Sequence, residues 1–176
     1  MSDSHRQFER VYQDCYAAVH RYTARRVPAA AVQDVVADTF LTAWRRYGEL
    51  RGEPLPWLLG IARRTAANQR RGGVRRDALH ERLRSEHRPG GELPPSLADG
   101  DSRVAAALAT LGQRDREALT LVAWEGLEHR AAATVMGCST GAFTVRLHRA
   151  RRKLERALEG EKRKPLDIVI EARSLQ

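Results

Sequence analysis

The residues whose types and spacing promise chemistry are concentrated between Cys138 and Leu158, in CSTGAFTVRLHRARRKLERAL. Arg146, Arg149, Arg151, Arg152, Lys153 and Arg156 crowd this stretch against a single acid, Glu155. Their chemistry is recognition rather than bond-making: guanidinium groups pair with phosphate oxygens and, bidentately, with guanine edges. At helical spacing Phe143, Leu147, Ala150, Leu154 and Leu158 form one apolar stripe, so the cations occupy the other faces. Just upstream, Glu128 to Met136 reads as a shorter helix with Ala132, Ala133, Val135 and Met136 available for packing. Gly137 supplies a permissive turn, and Ser139 or Thr140 an N-cap. Together these are the parts of a helix-turn-helix, whose second helix enters a major groove with its first turns at base edges and its arginines on phosphates. A basic amphipathic helix can also be only a solvated face. The order of small residues, turn glycine, cap and one-sided charge favours DNA binding.

The totals agree. The 176 residues carry 31 Lys and Arg against 22 Asp and Glu, a net charge of +9, which favours a polyanionic partner. Cys15 and Cys138 stand far apart among apolar residues, with no CxxC or Cys/His spacing, so buried free thiols are expected and no metal site. The histidines are dispersed, and His148 on the basic helix is expected to face DNA or solvent. No phosphate-cradling glycine loop, HExxH or serine triad context appears, so an enzyme is not expected, nor a cofactor or small-molecule substrate. The N-terminus lacks an apolar signal region and no apolar run could span a bilayer, so a soluble cytoplasmic protein is expected.

Ahead of the helix-turn-helix the periodicity predicts helices only. Phe8 to Arg26 carries Phe8, Val11, Tyr12, Cys15, Val19 and Tyr22 on one face and closes at Val27-Pro28. Ala30 to Tyr47 turns Val32, Val35, Val36, Thr39, Phe40, Ala43, Trp44 and Tyr47 inward. Gly48 to Pro56 is rich in breakers and reads as a loop. Trp57 to Arg71 buries Trp57, Leu58, Ile61 and Ala62 and exposes Arg63, Arg64, Asn68, Gln69, Arg70 and Arg71 with no acid. Trp44 and Trp57 are assigned to the core. Residues 72–100 hold glycine pairs and prolines and read as a linker, with room for a short helix near Asp77 to Glu86. Beyond Asp101, Val104, Leu108 and Leu111 mark one helix, and Leu119, Leu121, Val122 and Trp124 anchor another. The expected fold is all-α: two small helical domains, 1–71 and 101–159, joined by a flexible linker, with a tail over 160–176.

The order "DVVADTFLTAWRRY", a glycine/proline loop, "PWLLGIARRTAANQRR", a variable linker and "LGQRDREALTLVAWEGLEHRAAATVMGCSTGAFTVRLHRARRKL" resembles the sigma-70 family of bacterial transcription initiation factors. The compact layout resembles its extracytoplasmic-function (ECF) group. The resemblance implies a subunit of bacterial RNA polymerase that recognises −35 and −10 promoter elements and aids promoter opening. Its N-terminal domain would dock on the β′ clamp helices and capture unstacked −10 bases. Its C-terminal domain would sit on the β flap and read the −35 element. An anti-sigma factor is a further partner known for many relatives.

On that resemblance, Asp34, Asp38 and Arg45 fall at the polymerase-binding motif, and the two aspartates share a helix face by their spacing. Tyr47, Arg51, Gly52 and Glu53 lie in the loop that would hold a flipped base. Arg63, Arg64, Arg70 and Arg71 would hold the strand backbone, and Asn68 and Gln69 would reach base edges. Ser139, Thr140, Thr144, Arg146, His148, Arg149, Arg151 and Arg152 would contact the −35 element. The chain departs from the family pattern where His129-Arg130-Ala131-Ala132-Ala133 replaces acids and an isoleucine, and where Thr144 replaces a lysine. A relative's −35 sequence therefore does not transfer. The competing reading is a helix-turn-helix regulator that acts without polymerase; its usual dimerisation or ligand-sensing domain is not what the N-terminal half resembles.

Overall fold

The computed structural model describes residues 3–81 and 102–173, with side chains described for 3–71 and 103–159. Helix α1 (Asp3–Ala24) turns Cys15, Val19 and Tyr22 inward and stops where Pro28 removes a donor. A 3-10 turn over Ala29–Ala31 leads into α2 (Val32–Arg45), which buries Val32, Val35, Val36, Thr39, Phe40 and Ala43. The buried Thr39 hydroxyl is satisfied within the helix, donating to the Val35 carbonyl at 2.6 Å. After a second 3-10 turn (Tyr47–Glu49), Gly52 adopts a φ of +80° and α3 (Pro54–Glu81) begins on a proline, which its first turn tolerates. Leu58, Leu59, Ile61, Ala62 and Ala66 are its buried face. Helices α1, α2 and α3 pack mutually as one bundle.

The second bundle is α4 (Ser102–Thr110), α5 (Gln113–Ala123), α6 (His129–Met136) and α7 (Thr140–Arg173). Arg116 ties α5 back to α4, donating to the carbonyls of Leu108 at 2.9 Å and of Ala109 and Leu111 at 3.1 Å. These carbonyls lie at the negative pole of α4, where a cation is favoured; that of Leu108 also accepts from the Leu111 N–H at 3.2 Å. Phe143, Leu147 and Ala150 of α7 are fully buried against α5 and α6, while Leu154 and Leu158 are half-buried.

The two bundles are packed on each other. Helix α3 lies along α6, and a methyl on Gly60 would rest 3.6 Å from the Val135 carbonyl oxygen. The hydrophobic core runs without a break from Val19 and Leu58 to Leu121, Val135 and Phe143.

Several expectations are corrected. The breaker-rich loop ends at Glu53, because Pro54 and Pro56 occupy the first turn of α3 rather than preceding it. Helix α3 continues through Gly72 and Gly73 to Glu81, where a linker was expected. Each glycine costs about 1 kcal/mol in a helix, less than starting a new one. The remainder of the helix expected near Asp77 to Glu86 lies outside the described residues. Helix α7 likewise runs through the expected tail to Arg173. Trp44 is 41% exposed, its ring edge-on to Phe8 at 5.1 Å on the rim of the bundle. Val104 and Trp124 are also exposed, and so is Cys138, which sits in the turn between α6 and α7.

Candidate nucleic-acid interface

The turn that presents α7 is closed at both ends. Gly137 takes the left-handed conformation (φ 65°, ψ 42°), its N–H reaching the Thr134 carbonyl at 3.2 Å and that of Cys138 the Ala133 carbonyl at 3.1 Å. This is a Schellman ending, and glycine is what permits it. Ser139 then caps α7, its Oγ accepting from the Ala142 N–H at 3.2 Å. Of the two caps the sequence allowed, Ser139 is the one used, which engages a side chain also nominated for DNA contact.

Around α7 the remaining positions divide into a crest and two flanks. The crest, opposite the buried stripe, exposes Val145, His148, Arg149 and Arg152. Val145 is 51% exposed, an apolar residue ringed by cations. On the flank towards α6, the Thr144 hydroxyl donates to the Thr140 carbonyl at 3.0 Å, and His129 Nδ1 lies 3.2 Å from the same hydroxyl. Arg151, also exposed, continues this flank. On the flank towards α5, Arg146 and Lys153 both meet the Asp115 carboxylate, at 3.2 and 2.6 Å. Hydrogen bonding from Lys153 above all, with Arg146 adding to it, holds the Asp115 carboxyl below the usual carboxylate range despite its burial.

Helix α3 presents a second basic surface. Arg64, Asn68 and Arg71 fall on one exposed row, with the Arg71 guanidinium donating to Asn68 Oδ1 at 2.5 Å. Arg63 and Arg70 fall on a neighbouring row that faces α5 across a cleft of about 410 Å3, lined also by Gln113, Arg114 and Glu117. Arg63 is not available there: its Nε donates to Glu117 Oε2 at 2.8 Å. Gln69 is half-buried and lies on a third face, so the structure does not bring it beside Asn68.

In the loop before α3, Arg51 folds back to donate to the carbonyls of Gly48 at 2.9 Å and Leu50 at 3.0 Å. Arg46 and Glu49 form an exposed ion pair, and hydrogen bonding from Arg46 lowers the Glu49 carboxyl. Tyr47 is half-buried, edge-on to Phe8 at 5.3 Å, while Gly52 and Glu53 are exposed. On α2, Asp34, Asp38 and Arg45 are exposed in one row, and Leu41 sits among them at 47% exposure.

The family-model comparison matches residues 8–76 to sigma-70 region 2 and residues 101–154 to sigma-70 region 4. The chain is 34% identical over 145 residues to the RNA polymerase sigma-H factor of Pseudomonas aeruginosa, covering 74% of this chain and 75% of that one. It is 32% identical over 142 residues to the RNA polymerase sigma factor NccH of Alcaligenes xylosoxydans xylosoxydans, covering 76% of each.

The chain belongs to the sigma-70 family.

Within that family it is an ECF-type sigma factor, which directs promoter-specific initiation with RNA polymerase. The fold is shared with the sigma factor RpoE from Bartonella quintana, solved in complex with the anti-sigma factor NepR: TM-score 0.63, 23% identity, covering 87% of this chain and 97% of that one. CnrH, solved with the cytosolic domain of CnrY, is similar at TM-score 0.57 and 26% identity, covering 89% and 90%. Among the described residues of this sigma factor, no helix is long and apolar enough to cross a membrane.

Sequence reasoning missed four residues at these surfaces. Leu41 and Val145 are apolar residues whose helical phase matches the polar face, a signal that was readable. Asp115 and Glu117 act through partners on other helices, and local periodicity carries no trace of that.

Proposed function

We propose that the sigma factor divides its work among the exposed faces described above. The α2 row of Asp34, Asp38 and Arg45, with Leu41 as its apolar anchor, docks on a complementary surface of the polymerase β′ subunit. The loop from Tyr47 to Glu53 and the α3 row of Arg64, Asn68 and Arg71 hold the opened −10 strand, with backbone phosphates on the arginines. The α7 crest enters the −35 major groove, where Val145 suits a thymine methyl and the arginines suit phosphates or guanine. The protein performs no chemistry of its own and works in the cytoplasm, where polymerase is.

The observation that carries this reading is the α7 crest: an exposed apolar residue among cations, on a helix whose start is fixed by a Schellman turn and a serine cap. Run-off transcription with bacterial core RNA polymerase on genomic fragments is the test. Discrete new start sites that require the protein support it. DNA binding without polymerase and no new starts would make the chain an autonomous regulator instead.

The crest and the α6-side flank should respond differently to substitution. Arg152→Ala removes an exposed phosphate-binding cation, so affinity should fall about equally for all sequences and the slope of log K against log salt should shrink by roughly one. Thr144→Val keeps the shape and removes the hydroxyl shared with His129, so the preferred sequence should change in a promoter selection. An unchanged preference would place Thr144 outside the groove.

A further inference from the structure

We infer that Asp115 is a positioning residue for DNA recognition, one that sets how sharply the α7 helix discriminates between sequences. The inference rests on the reading of α7 as the −35 helix.

Asp115 stands in the first turn of α5 and is 9% exposed. Its two oxygens are divided between two cations of another helix: Oδ1 accepts from Arg146 Nη1 at 3.2 Å, and Oδ2 from Lys153 Nζ at 2.6 Å. Arg146 and Lys153 are two turns apart and share one flank of α7, so a single carboxylate holds that whole flank. A surface concavity of about 490 Å3 opens beside the three of them, floored by Gly141, Ala142, Val145 and Arg149.

Two consequences follow from the geometry. An arginine read against a base edge must give up rotamer freedom on binding unless something already holds it. Lys153 fixes one oxygen of Asp115, and the other fixes Arg146, so part of that ordering is complete before DNA arrives. Arg146 is 37% exposed, which leaves its remaining donors open to the concavity. The second consequence is negative. Asp115 offsets the charge of two cations that would otherwise seek phosphates on any sequence, and its carboxylate repels a phosphate brought to this flank in the wrong register. Fixing the reader while muting sequence-blind attraction raises discrimination on both counts.

The test uses the full chain on bacterial core RNA polymerase, with a promoter-length duplex pool randomised upstream. Sequences selected by the wild type then serve, with scrambled controls, as probes at several salt concentrations. Asp115→Asn should bind scrambled duplex several-fold more tightly and steepen the salt slope by up to about one unit per released cation. Its discrimination against scrambled duplex should fall about tenfold. Asp115→Glu, which keeps the charge, should restore the wild-type slope. Thermal melts of both variants separate this from simple loss of fold. If Asp115→Asn melts lower yet keeps wild-type slope and discrimination, Asp115 is only a helix–helix tie and the inference is overturned. If the wild type selects no sequence at all, it is the reading of α7 that fails, and the role of Asp115 with it.

Discussion

Phe143→Ala is expected to cost about 4 kcal/mol of stability, the range for a fully buried phenylalanine truncated in a packed core. Its ring has no exposed surface and sits on the first turn of α7, where that helix meets α5 and α6. It also backs His129, whose ring lies 5.8 Å away, so the cavity would open directly under the α6-side flank of α7. For a chain of this size the melting temperature should fall by roughly 10 °C. Val145→Ala is the internal control: it is two positions further on the same helix but 51% exposed, so its effect should stay within about 0.5 kcal/mol. Circular-dichroism melts of the two variants give the comparison. Equal effects would mean that α7 is rotated from the orientation described here.

That contrast also marks what was legible in the sequence. The stripe Phe143, Leu147, Ala150 and the Gly137–Ser139 turn were readable because helical phase, a left-handed glycine and a cap are local properties. The inward faces of α1, α2 and α3 were readable for the same reason, apart from Tyr12 and Trp44, which were placed inward and are exposed. Trp44 and Trp124 were misplaced because both sit at the edge of an apolar stripe, where phase alone does not say whether another helix arrives to cover them. In the structure Trp44 meets only the edges of His5 and Phe8 from α1 among the described residues and stays 41% exposed, and Trp124 carries the Arg25 guanidinium 5.9 Å from its ring centre. Cys138 was misread because its apolar neighbours belong to two different helices and it lies in the turn between them. The glycine pair after Arg71 was read as a break, yet a helix already nucleated by buried Leu58, Leu59 and Ile61 propagates across it. At the nominated surfaces, spacing found the cations but not their neighbours. Glu117 meets Arg63 across 54 positions of chain, and no periodicity reports such a pair.

Those long-range pairs lead to the second large expected effect. Glu125, whose side chain is 8% exposed, pairs with both Arg25 and Arg26 in the turn that follows α1. Arg26 is further engaged, donating to the Tyr22 carbonyl at 3.0 Å and to Thr120 Oγ1 at 3.3 Å, with its guanidinium 3.5 Å from the Tyr22 ring centre. The Tyr22 hydroxyl, whose pKa burial pushes well above its ordinary value, donates to Glu117 Oε1 at 3.3 Å. Glu117 in turn holds Arg63. Two acids of the second bundle thus hold three arginines of the first. Replacing Glu125 by alanine leaves two guanidinium groups in a poorly solvated place without their counter-charge, a loss of about 3 kcal/mol or more. Glu117→Gln adds the release of Arg63, which belongs to the basic surface of α3. The double variant Glu117→Gln/Glu125→Ala should therefore scatter X-rays with a larger radius of gyration than the wild type, because the bundles part along α1–α5. It should also bind single-stranded DNA more tightly, because Arg63 no longer exchanges a carboxylate for a phosphate on binding. Arg63→Ala in that background should remove the gain. If the radius is unchanged, the apolar contact of α3 with α6, where Gly60 meets Val135, holds the bundles together without the ion pairs. If the radius grows but strand binding does not, Arg63 is an interdomain tie alone and drops out of the proposed strand-binding surface of α3.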